Sequence, residues 1–141
     1  MSESPMAKLP DWQDRLTYLL GEVHRDPFIW GKLDCCLLAA AAVEAQTGVD
    51  LAEPFRGTYS DAAGAARHLR ASGGLRGLGA RVGPEVGPLM AQHGDVGIVR
   101  GVNGKPVMAV FSGVQWLAPT AAGIVALPPL SAIKCWRVGH G

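Results

Sequence analysis

Trp30-Gly31-Lys32-Leu33-Asp34-Cys35-Cys36 runs directly into seven apolar residues, 37–43, and this junction decides how the chain folds. Asp34 can accept a backbone N–H as an N-cap, 35–45 contains no helix breaker, and Gly48 offers a left-handed stop. The spacing therefore predicts a helix over 35–45. Only Glu44 interrupts its apolar character. A helix that is apolar on all sides has to be wrapped by other elements, which makes it the centre of the fold. Its first turn carries Cys35, where the field of unpaired amides favours thiolate over thiol. Cys35 is thus the candidate nucleophile, and Cys36 is expected to pack into the core as a small apolar residue.

Working outward, Trp12, Leu16, Leu19, Leu20 and Val23 form the stripe of an amphipathic first helix, ended by Asp26-Pro27. Ser60 can cap a third helix through Ala71, closed by Ser72-Gly73-Gly74, with small residues on one side and basic ones on the other. No acidic residue occurs over 62–84, whereas Arg67, Arg70, Arg76 and Arg81 all do. Such a one-signed run is either a solvated face or a contact for an acidic partner surface. Strands are expected at 96–100, 107–111, 114–117, 124–127 and 133–138. Helices followed by strands make this an α+β fold, with helices packed on an antiparallel sheet or partial barrel.

The chain has 141 residues, enough for one domain with a real core. Residues 1–10 read as a flexible arm rather than a signal peptide, since they lack an apolar core, and 11–141 as the single domain. Thirteen basic against twelve acidic residues leave a net charge of +1, which gives no global field to draw nucleic acid. Residues 106–133 carry no charged side chain, but Gly113, Pro119, Gly123, Pro128 and Pro129 break the stretch too often for a membrane span. Three cysteines, two of them adjacent, are no disulfide framework and fit a reducing compartment. No metal site or cofactor is expected. Cysteines adjacent on a helix diverge by about 100°, and neither a C-x-x-C spacing nor a phosphate loop occurs.

Phe28-Ile29-Trp30-Gly31 with Asp34-Cys35, then Gly94-Asp95-Val96-Gly97-Ile98-Val99 opening the sheet, resembles the NlpC-type papain-like cysteine peptidases that cut cell-wall peptides. Phe55-Arg56-Gly57-Thr58-Tyr59, Gly123-Ile124-Val125-Ala126-Leu127-Pro128 and Cys135-Trp136-Arg137-Val138 are similar to a branch found in tailed bacteriophages and gene-transfer agents, among tail-tip genes. The resemblance spans about residues 12–138 and implies a papain-like fold. It also implies a helix-borne Cys35 that attacks a carbonyl while a strand-borne His moves the proton. The strand that normally begins His-Val-Gly-Ile-Tyr reads Val107-Met108-Ala109-Val110-Phe111 here, which puts Val107 in the place of the base. Loss of a general base typically costs about two to four orders of magnitude in rate.

His93, directly before Gly94-Asp95, is the one substitute base worth testing; His24, His68 and His140 read as surface residues. Gln115 is the candidate orienting residue. The expectation is a structural, interaction subunit of a phage tail tip or baseplate hub with a degenerate peptidase site, assembled in the host cytoplasm into the virion. Its partners would be other tail-tip proteins, with Arg67, Arg70, Arg76 and Arg81 in the contact. The alternative is an active cysteine peptidase or amidase that opens peptidoglycan during genome delivery.

Overall fold

The computed structural model describes residues 7–23, 35–53, 59–71, 73–120 and 122–139. Trp30, Asp34, the 55–58 motif, His24 and His140 lie outside the described residues, as does the side chain of Cys35. Among the described residues four helices come first: α1 (Trp12–Val23), α2 (Cys35–Thr47), α3 (Ala62–Ala71) and α4 (Gly74–Ala80). Six strands follow: β1 (Glu85–Val86), β2 (Val96–Arg100), β3 (Pro106–Phe111), β4 (Trp116–Thr120), β5 (Gly123–Leu127) and, after a short 3-10 turn, β6 (Ala132–Trp136). The fold is α+β, and all strand pairs are antiparallel, in the order β1-β6-β2-β3-β4-β5.

That order forces the sheet to curl. β6 is inserted four strands away from β5, about 19 Å across a flat sheet, yet only residues 128–131 link them. Five Cα steps reach at most about 18 Å, and a 3-10 turn shortens them further. The outer strands therefore bend over the inner ones, as expected for a partial barrel, and both faces of the central strands are buried. Side chains alternate between the two faces along β2 to β5, while β6 carries an irregularity where its pairing with β2 shifts register between Ile98 and Val99. Val96, Ile98, Met108 and Trp136 pack toward the helices with Ala39 and Val43, while Val99, Ala109, Phe111, Trp116 and Cys135 fill the inside of the curl.

Helix α2 is central for the reason its composition gives. Ala39 and Val43 join one core cluster, Leu38 and Ala42 join Leu16 and Leu20 of α1 in a second, and Leu38 is 0% exposed. Burying one such leucine is worth about 1.5–3 kcal/mol. Gly48 ends the helix with φ +82, and its amide donates to Glu44 O at 2.7 Å. Of the arm expected over 1–10, Lys8 and Leu9 lie against the domain: the Leu9 amide donates to Gln46 O at 2.7 Å.

Several elements differ from their expected forms. The cap of α3 is Asp61, whose Oδ1 accepts the Gly64 amide at 2.7 Å, rather than Ser60. Three glycines in Gly74-Leu75-Arg76-Gly77-Leu78-Gly79 hide α4 from propensity, but Gly79 is needed: a Cβ there would overlap the Trp136 ring. The fourth strand starts at Trp116 because Ser112 Oγ accepts the Gln115 amide at 3.1 Å and, more weakly, the Val114 amide, which closes a turn over 112–115. Pro119 continues that strand beyond the point where β4 pairs with β3, where no ladder donor is required of it.

Candidate functional site

Two ends of α2 have to be distinguished. Its C-terminal end is held by Gln46, a fully buried side chain whose Nε2 donates to Gly94 O at 2.8 Å and back to Ala42 O at 3.0 Å. Gly94 has φ +94, and a Cβ on it would overlap Gln46 Oε1, so the helix end and the entry to β2 fit only with glycine there. Next to it Asp95 is 0% exposed. Its Oδ2 accepts the Gln92 amide at 2.8 Å and Arg137 Nε at 2.9 Å, and its Oδ1 accepts the Val138 amide at 3.2 Å. Arg137 also donates from Nη2 to Met90 O at 2.9 Å. Gly94-Asp95 and Trp136-Arg137-Val138, two separate pieces of the sequence pattern, thus form one cluster that ties the start of β2 to the chain after β6. Beneath it burial, reinforced by Asp95, pushes the Cys135 thiol up to about 12, which makes it inert.

His93 belongs to this end. Its ring meets Trp12 edge-on at 5.2 Å, and Lys8 Nζ sits 3.7 Å over the Trp12 ring. Burial, and secondarily the Lys8 charge, hold His93 below the usual imidazole range. Gln46, beside Gly94, lies eleven residues after Cys35, which is about 16 Å along the helix axis. His93 is therefore not the base for a nucleophile at the start of α2. Gln115 is exposed in the turn after β3, at the same far end, where Gly113 approaches the His93 ring. It orients nothing at the helix start.

The N-terminal end of α2 faces the start of β3. In the β2–β3 ladder Ile98 pairs with Met108 and Val99 with Val107. Met108, 1% exposed, is the residue on the α2 side, and Val107 packs on the opposite face with the interior of the curl. The resemblance points to Val107 as the residue in place of the base; its neighbour Met108 is the one packed with Ala39 and Val43 of α2. Both side chains are apolar, and neither can carry a proton.

Between α2, α3, α4 and the start of β3 lies a cavity of about 300 Å³. Its walls are mostly alanines and leucines, with Pro106, Val107 and Met108 on the strand side. Cys36, Tyr59, His68 and Arg81 bring the polar atoms that line it. Cys36 is half-buried rather than fully enclosed in the core. His68, read from the sequence as a surface residue, stacks against Tyr59 with ring centroids 5.4 Å apart. The small-residue face of α3, with Ala62, Ala65 and Ala66 turned to the cavity, was the signal that could have located it. Arg67, Arg70, Arg76 and Arg81 are all exposed and spread over α3, α4 and its end, so the basic run forms a surface beside this cavity.

Among the described residues no group of three or more His, Cys, Asp or Glu side chains is placed to hold a metal ion. No helix of these residues is long and apolar enough to cross a membrane. The chain belongs to the family described as a domain of unknown function, DUF6950, whose model matches residues 7–138. No curated protein matches it.

Proposed function

We propose that this chain is a structural and interaction subunit of a phage-like tail tip, built on an NlpC-type papain-like scaffold whose hydrolase site is degenerate. The observation that carries the loss of catalysis is Met108. The position on β3 that faces the start of α2 holds a buried thioether, and the Gly-Asp residues that open the sheet in the peptidases serve here as a structural cluster. The tail-tip assignment rests on the resemblance of the Arg-Gly-x-Tyr and Trp-Arg-Val elements. The exposed arginines of α3 and α4 suit an acidic face on a neighbouring tail protein, since complementary charge steers association and fixes register. Assembly would take place in the host cytoplasm, with the virion as the final location.

A second reading, an active cysteine peptidase or amidase acting on peptidoglycan, has one observation in its favour: His68 lines the same cavity as Cys36, the neighbour of Cys35. Particle incorporation tests the first reading. Cys35→Ser should enter particles normally. Arg67→Glu with Arg70→Glu should lower incorporation while leaving the isolated domain folded, because both side chains are exposed. Absence of the wild-type chain from purified particles would refute the assignment.

A further inference from the structure

We infer that residues 8–11 form a strap on the C-terminal end of α2 whose hold loosens in mild acid, when His93 takes up a proton beside it. Neither a tail-tip role nor a peptidase role is needed for this. The strap's backbone is fixed where the Leu9 amide donates to Gln46 O at 2.7 Å, and the Trp12 amide donates to Leu9 O at 3.2 Å where the strap enters α1. Its side chain is fixed by one indole. Lys8 Nζ lies 3.7 Å from the centroid of the Trp12 ring, and the half-buried His93 ring meets the same indole edge-on, 5.2 Å away. A cation held over an indole at a partly exposed site favours the attached form by about two- to fivefold.

The surroundings of His93 decide the direction of the effect. The strap brings Lys8, α1 brings the uncharged Trp12, and the turn after β3 brings Gly113, where an added Cβ would lie 3.6 Å from the ring. Two residues on, Asp95 is tied to Arg137 at 2.9 Å, and these two charges act on Lys8 in opposite directions. Burial first, and the Lys8 ammonium second, hold the His93 imidazole below its ordinary range. A proton on His93 sets a second cation against the indole that Lys8 occupies. The coupling is reciprocal, so the charge that resists this protonation is the charge that protonation repels. The native state binds the proton less readily than the unfolded chain does. The contribution is therefore fully present above pH 6.5 and is lost as pH falls below it.

Hydrogen exchange of the Leu9 amide, followed by NMR as a protection factor, is the test. The Gly48 amide, which donates to Glu44 O at the same helix end, is the internal reference. Between about pH 7.5 and about pH 5.5, Leu9 protection in the wild type should fall about two- to fivefold relative to Gly48. His93→Gln, uncharged throughout, should show no such fall. Lys8→Met, which removes the ammonium, should raise the midpoint of the His93 titration toward 6.5. Constant relative protection in the wild type, or an equal fall in His93→Gln, would overturn the strap. Should His93→Gln fail to fold, the imidazole titrations of the wild type and Lys8→Met decide: equal midpoints would overturn the coupling.

Discussion

The two ends of α2 use their residues in opposite ways. At the C-terminal end, Gln46, Gly94, Asp95 and Arg137 close on one another, leaving only Gln46 Oε1 of this group without a partner among the described residues. At the N-terminal end, where a thiol begins the helix, the opposing strand offers Met108 and the adjacent space is apolar. The Gly94-Asp95 and Trp136-Arg137-Val138 elements of the sequence pattern are thus gathered where they hold strands together. Residues of this kind answer to the fold, whatever chemistry the other end of the helix carries.

The largest effect should come from breaking the polar end. Asp95→Ala leaves the Arg137 guanidinium and the amides of Gln92 and Val138 without their acceptor. Removing one partner from a buried pair costs about 3–5 kcal/mol, a large share of the roughly 5–15 kcal/mol that holds a domain folded. Urea unfolding should show this, with Asp95→Asn intermediate because its amide oxygen still accepts. An Asp95→Ala variant of wild-type stability would mean that the cluster is not structural.

Next comes Gly97→Ala, in the strand that this cluster anchors. A Cβ there meets the Lys134 carbonyl oxygen and the Trp116 ring, both at 2.6 Å, and the backbone oxygen cannot swing away. Overpacking of this kind costs about 1–3 kcal/mol, readable as a lowered Tm with unchanged far-UV signal.

A smaller effect is expected in alkali. The Cys135 thiol is raised from 9.0 to about 12 in the folded state, so between those values the native protein keeps a proton that the unfolded chain loses. Its contribution is fully present below pH 9 and declines as pH rises, by up to about 1.4 kcal/mol per pH unit. Between pH 9 and 10 the wild type should lose about 1 kcal/mol more than Cys135→Ala. Parallel losses would show that Cys135 is not the group responsible.

Most of the architecture was legible from periodicity and from start and stop signals. The stripe from Trp12 to Val23 declares its period, the uncharged stretches their strand character, and the breaker-free apolar run after Cys35 ends where Gly48 marks its stop. α4 was not legible, because three glycines conceal a helix whose reason is the Trp136 ring packed against Gly79 from 57 residues away. The site was read less well. Proximity in sequence made His93 look like a neighbour of the sheet entrance, and it is, but helix length separates that entrance from Cys35. Which of Val107 and Met108 packs on α2 was not legible, because the period of a strand is two and no local signal sets which parity meets a helix. His68 was missed because the cavity it lines is assembled from three helices and a strand, none of which encodes it alone.

The central proposal is a hydrolase site at the start of α2 that is degenerate, and peptidoglycan digestion tests it most directly. Purified wild-type protein, Cys35→Ser and His68→Ala would each be incubated with peptidoglycan fragments and the products followed by mass spectrometry. The expected result is no released peptide from any of the three. Turnover by the wild type that disappears in Cys35→Ser would contradict the account, and its loss in His68→Ala as well would identify the base that β3 does not provide.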